Sequence, residues 1–173
     1  MKKYFIYLLF VSSLLAHPHT FIDVYPTIKI ENGKAKKIQF IWKIDEMTSS
    51  ILILDVDTDG DEKISSKENE FIKNNYFTIF EDYHFYTYIR VNGKVIPFPQ
   101  TKNFKATIEK HRVCYKFEIE GDFNMKNTVI EVGDTDFYVA LVIKQEFLNV
   151  QGMKAIATGV DNDFYYGYKV EFK

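Results

Sequence analysis

The stretch Asp57-Thr58-Asp59-Gly60-Asp61-Glu62-Lys63-Ile64-Ser65-Ser66-Lys67-Glu68 carries the densest set of groups in the chain that could do chemistry. Four of its five acids fall at positions 1, 3, 5 and 12, the spacing by which an EF-hand-like loop surrounds Ca²⁺ with hard oxygen ligands. Lys63 would add a backbone carbonyl, Ser65 a hydroxyl or a bridging water, and Ile64 an apolar anchor to the fold. Position 6 of such loops is normally glycine because the backbone there has positive φ. Glu62 would have to adopt that conformation at a cost of about 1 kcal/mol or more. The competing reading is an acidic turn that caps a helix, since Ser65 and Glu68 also fit an S-x-x-E capping box. On the metal reading, Asp57→Ala or Glu68→Gln is expected to lower stability in calcium and to change little in chelator.

The second constellation depends on where the chain is cut. Lys2 and Lys3 precede an apolar run from Tyr4 to Leu15, and Ala16 is a small residue suited to cleavage, so residues 1–16 read as a signal peptide, too short for a membrane span. The mature chain would then start His17-Pro18-His19-Thr20-Phe21-Ile22-Asp23. It would carry an amine and an imidazole on one residue, able to hold Cu²⁺, Ni²⁺ or Zn²⁺. In an extended segment His17, His19 and Asp23 share a face. Pro18 rules out the square-planar site that needs a deprotonated second amide, because its nitrogen has no proton to lose. His84 and His111 would complete the site only if the fold brought them close. Cleavage after Ser13 would leave Leu14 first and remove the amine. A frayed, solvated end is the plain alternative.

Removing residues 1–16 leaves 157 of 173 residues and takes two lysines from 22 basic residues against 24 acidic, a net charge of −4. That gives no reason to expect a nucleic-acid partner. The length suits a single domain, 17–173. The lone cysteine, Cys114, permits no internal disulfide and reads as a packed thiol.

The elements that must position these groups are mostly strands. Alternating aromatic and β-branched runs surround two Asn-Gly turns, Asn32-Gly33 and Asn92-Gly93, each predicting a tight hairpin. Ile38, Phe40, Trp42 and Ile44 form a predicted core face. About nine strand-like runs predict a mainly β, α+β fold: an antiparallel sandwich or partly open barrel, with one helix–loop–helix insertion at about 45–82. Within the insertion, Ile44, Met47, Ile51 and Leu54 are predicted to form one helical stripe, and Phe71, Ile72, Tyr76, Ile79 and Phe80 a second. Asp45 and Glu46 are expected to begin the first helix, where acids complement its dipole.

The segments His17 to Asp23, Trp42-Lys43-Ile44-Asp45-Glu46 and Asp55 to Asp61, with a weaker Asp134-Thr135-Asp136-Phe137-Tyr138, together resemble a bacterial family of exported proteins. That family is of unknown function and is described as the periplasmic component of an uncharacterised ABC-type transport system. The resemblance implies a periplasmic location and a role beside a membrane transporter of nickel, cobalt or zinc, and no established activity. Three functions follow. The first is a metal-binding accessory protein with a structural calcium loop. The second is a calcium-stabilised interaction module without transition metal. The third is a copper enzyme with an amino-terminal histidine brace. No nucleophile, triad or phosphate loop favours an enzyme.

Overall fold

A computed structural model describes residues 20–136, 138–161 and 165–173. The signal segment, His17 and His19 lie outside the described residues. The fold is mainly β, 53% strand, with two sheets in a sandwich-like arrangement and one helix-rich insertion. In chain order the strands are β1 (Thr20–Lys29), β2 (Lys34–Ile44), β3 (Thr87–Val91), β4 (Lys94–Val95), β5 (Thr101–Glu109) and β6 (Arg112–Asn124). They continue with β7 (Thr128–Asp134), β8 (Val139–Val142), β9 (Asn149–Gln151), β10 (Ala155–Asp161) and β11 (Tyr166–Phe172). The first sheet runs β5-β6-β2-β1-β8, with β9 also on β1; the second runs β10-β11-β7-β3-β4. Both sheets keep free edges, so no barrel closes among the described residues. Pairing is antiparallel except where β8 and β9 lie parallel to β1.

Both hairpin turns form where expected. Asn32 (φ 52°) and Gly33 (φ 75°) join β1 to β2, and Asn92 (φ 51°) and Gly93 (φ 77°) join β3 to β4, the left-handed pair that a two-residue hairpin requires. The β5–β6 hairpin uses the same geometry without glycine, at Lys110 (φ 52°) and His111 (φ 61°).

The core lies between the sheets and is strongly aromatic. Ile38, Phe40, Trp42 and Ile44 are all buried, as the alternation of β2 predicts. Phe117 is a hub, its ring centroid 5.4 Å from that of Phe40, 5.2 Å from Trp42 and 5.1 Å from Phe77. The Trp42 indole N–H is buried without a hydrogen-bond partner; its ring meets Phe80 and Phe117 edge-on. Cys114 is buried, and desolvation, with the nearby Glu109 charge, pushes its thiol up to about 11, so it stays protonated.

The insertion departs from the predicted stripes. Helix α1 (Glu46–Val56) leaves Met47, Ile51 and Leu54 exposed and buries Ser49 and Val56 instead, with Leu52 and Ile53 half-buried against the core. Polar anchors set this rotation: buried Ser49 Oγ donates to the Ile44 carbonyl (3.1 Å) and accepts from the Val113 amide (2.9 Å). Helix α2 (Ser66–Ile72) passes into a wider π turn at Lys73–Phe77 and then into 3₁₀ turns. The second stripe is split: Ile72 is buried, Phe71 and Ile79 are exposed, and Phe77 supplies the deep contact.

A left-handed turn follows just beyond the predicted insertion. His84 (φ 50°), Phe85 (φ 51°) and Tyr86 (φ 47°) are consecutively left-handed, a conformation costing roughly 1–2 kcal/mol per residue. Packing of Phe85 between Phe77, Phe98 and Phe117, and of Tyr86 against Phe80 and Tyr83, holds it.

Candidate metal centre

The acidic loop joins α1 to α2. Its first residue, Asp57, caps the C-terminus of α1, its amide donating to the Ile53 carbonyl (3.0 Å). The Asp57 carboxylate then gathers the loop backbone. Oδ1 accepts the Gly60 (3.1 Å) and Asp61 (3.2 Å) amides, and Oδ2 accepts the Glu62 amide (2.9 Å). Glu62 has φ 58°, the left-handed conformation expected at position 6. One carboxylate oxygen from each of Asp57, Asp59 and Asp61 lies within 4.8 Å of the others. Ligand oxygens 2.3–2.6 Å from one Ca²⁺ stand no more than about 5 Å apart, so this spacing suits the ion. A carboxylate has about four acceptor sites, so the amide bonds leave Asp57 able to ligate.

Glu68 takes a different part. It is buried, and its Oε1 accepts the Thr58 amide (2.8 Å) and hydroxyl (2.9 Å), while Oε2 accepts the Ser65 amide (2.9 Å). Ser65 Oγ in turn accepts the Glu68 amide (3.3 Å), completing the capping box of α2. Position 12 thus ties the second and ninth positions of the loop together. These bonds, led by the Ser65 and Thr58 amides, lower the Glu68 pKa to about 2. Asp59 shifts the other way: the Asp61 amide bond pulls its pKa down, but the charges of Asp61, Glu68 and Asp57, with burial, raise it overall. Lys63 Nζ stands 3.8 Å from Asp61, a loose exposed pair, and Ile64 packs half-buried on the core. Asn69, on α2, accepts the Ala106 amide (2.7 Å) and fastens the insertion to β5.

Described residues of the other family-like segments meet elsewhere, around the start of β1. Asp45 caps α1 by accepting the Thr48 amide (2.9 Å) and also accepts the Phe21 amide (3.0 Å). Four hydrogen bonds, outweighing desolvation, lower its pKa. Thr20 lies opposite Val139 in the β1–β8 pairing. Buried Asp134, at the end of β7, accepts the amides of Asp136, Tyr138 and Val139, each at 2.9 Å. The chain therefore enters the described fold between two carboxylates spent on backbone amides.

The remaining histidine-site residues are dispersed. Asp23 is half-buried and paired with Arg112 (2.9 Å), which also donates to the carbonyls of Lys43 and Ile44. His84 is exposed beside Tyr88. His111 is exposed on the β5–β6 turn, 3.7 Å from Glu62 of the acidic loop. Among the described residues, Asp57, Asp59 and Asp61 are the one group of three or more His, Cys, Asp or Glu close enough to share an ion. Asp23, His84 and His111 are not brought together.

These features define a two-sheet β protein with an acidic loop mounted on a helical insertion. The chain belongs to a family of proteins of unknown function, DUF1007, whose model matches residues 3–158. It is 31% identical over 147 residues to an uncharacterised protein of Haemophilus influenzae, covering 82% of this chain and 70% of that one. It is 30% identical over 66 residues, 38% of this chain, to an uncharacterised 15.5 kDa protein of Spirochaeta aurantia, and spans under half of that protein. No solved structure matches it.

Proposed function

We propose that this protein is an exported, periplasmic metal-binding accessory factor in which Ca²⁺ at Asp57, Asp59 and Asp61 clamps the helical insertion. His17 and His19 would form the end that hands nickel, cobalt or zinc to or from a membrane transporter. The observation that carries the calcium part is the cluster itself. Three carboxylate oxygens lie within 4.8 Å, with Glu62 already in the required left-handed conformation. On this reading the Lys63 carbonyl and Ser65 would complete the shell, while Glu68 holds the loop closed by accepting the Thr58 and Ser65 amides. A lone loop without a second to pair with is expected to bind in the weak range of extracellular modules, about 10⁻⁴–10⁻³ M.

Support for the transition-metal part is sequence chemistry and placement. The residues after His19 are tied down, the Phe21 amide by Asp45 and Thr20 beside Val139. Asp23 is held by Arg112, which puts the weight on the two histidines and the amine. Amino-terminal sequencing of the exported protein, then calorimetry with Ni²⁺, Cu²⁺ and Zn²⁺, tests this reading. A start at His17 and binding abolished by His19→Ala are expected. Another start, or binding indifferent to His19→Ala, contradicts it.

A further inference from the structure

The outer face of the second sheet carries a cleft of about 470 Å³ whose lining includes Tyr88, Arg90, Glu131, Val160, Tyr165 and Lys169, a volume within the ordinary range of small-ligand sites. The register builds it. Lys169 on β11 lies opposite Glu131 on β7, and Glu131 lies opposite Tyr88 on β3, so the three sit side by side across adjacent strands. Arg90 is two residues further along β3, and its Nε donates to Glu131 Oε2 at 2.9 Å. Glu131 is largely buried, its side chain 14% exposed against 39% for Arg90. The Glu131 contact fixes the plane of the guanidinium through Nε, and the terminal nitrogens donate to no other described group.

Gly133 makes room for one wall. A Cβ there would meet the Tyr165 ring at 2.2 Å, so only glycine lets that ring lie against β7. Tyr88 forms the other aromatic side. Desolvation raises the pKa of both phenols, so both remain neutral hydrogen-bonding groups across the physiological range. Lys169 is paired with Glu171 at 3.1 Å. Among the described lining residues there are two cations and one largely buried anion, an excess of one positive charge. That favours a monoanion over a phosphate dianion, which Glu131 would repel.

We propose that this cleft binds a small ring-bearing carboxylate, its carboxylate on the free fork of Arg90 and its ring between Tyr88 and Tyr165. A planar guanidinium meets a carboxylate with two parallel hydrogen bonds, and tyrosine rings supply rigid amphipathic walls. A sugar acid and an aryl carboxylate share this chemistry, and the test separates them.

The full chain is titrated with D-glucuronate, benzoate and glucose while amide and aromatic NMR shifts are followed. One of the two carboxylates is expected to bind with shifts confined to Tyr88, Arg90, Glu131 and Tyr165, and glucose is expected to leave them unmoved. Arg90→Lys keeps the charge against Glu131 but removes the fork, and should weaken binding at least about tenfold with the fold intact. Absence of binding by both carboxylates overturns the proposal. So does binding of glucose equal to that of glucuronate, or Arg90→Lys binding as tightly as the parent chain.

Discussion

Two regions of this protein are built from aspartates, and apart from Asp57, which gathers three loop amides, they use them oppositely. At the entry of β1, Asp45 and Asp134 are each saturated by backbone or hydroxyl donors. In the 57–68 loop, Asp59 and Asp61 are exposed, each accepts a single loop amide, and they crowd one another. Carboxylates fully committed to amides are architecture. Carboxylates held close, with only the loose Lys63 pair against Asp61 to offset them, raise the Asp59 pKa, and a divalent cation would relieve that repulsion.

The largest expected effect tests the architectural side. Asp134→Ala would remove the buried carboxylate that accepts the amides of exposed Asp136 and Tyr138 and half-buried Val139, hydrogen bonds to a charged acceptor that are worth about 1.5–3 kcal/mol each where they are sheltered and less where they are exposed. The expected loss is about 3 kcal/mol, measured by urea unfolding; a loss below about 1 kcal/mol would mean the turn re-forms without it.

Calcium comes next. If it binds only the folded chain, an excess of about 100 times the dissociation constant should add roughly 2.7 kcal/mol. Asp45→Ala follows, at about 1–2 kcal/mol for the lost cap and the lost Phe21 anchor, equal with and without calcium. An effect that depended on calcium would erase the distinction between the regions.

Glu68 sharpens the comparison because it belongs to both kinds. Its folded pKa, near 2, lies below the usual glutamate value, so its contribution to stability is complete above about pH 4.5 and is lost as pH falls toward 2. Glu68→Gln should therefore lower the unfolding temperature even in chelator and flatten that acid limb. This revises the sequence-based expectation of a calcium-only effect, because the bonds to Thr58 and Ser65 exist without metal. An acid limb unchanged in Glu68→Gln would contradict it. The smallest effect is expected for Asp59→Asn in chelator: within about 0.5 kcal/mol of the parent, and on the stabilising side.

Much of the fold was legible in the sequence. The two Asn-Gly hairpins and the buried face of β2 follow from side-chain period and turn chemistry, which are local properties. The positive φ of Glu62 was legible too, from loop position alone. Tertiary constraints were not. The α1 stripe misled because Met47, Ile51 and Leu54 recur helically whichever way the helix faces, and the bonds from Ser49 to Ile44 and Val113 set its rotation. The left-handed turn at His84-Phe85-Tyr86 opposes the propensity of every residue in it, and long-range aromatic packing maintains it. In the candidate site, the spacing of Asp57, Asp59 and Asp61 translated directly into proximity. The pairing of Asp23 with Arg112, 89 positions away in the chain, was not legible because it is a tertiary contact.

Whether the 57–68 loop holds calcium is decided by calorimetric titration of Ca²⁺ into chelator-treated protein, beside the Asp59→Asn and Asp61→Asn variants. One site per chain is expected, with the heat of binding lost in both variants while their stability in chelator matches the parent. No heat in the parent chain, or equal binding by the variants, would contradict it.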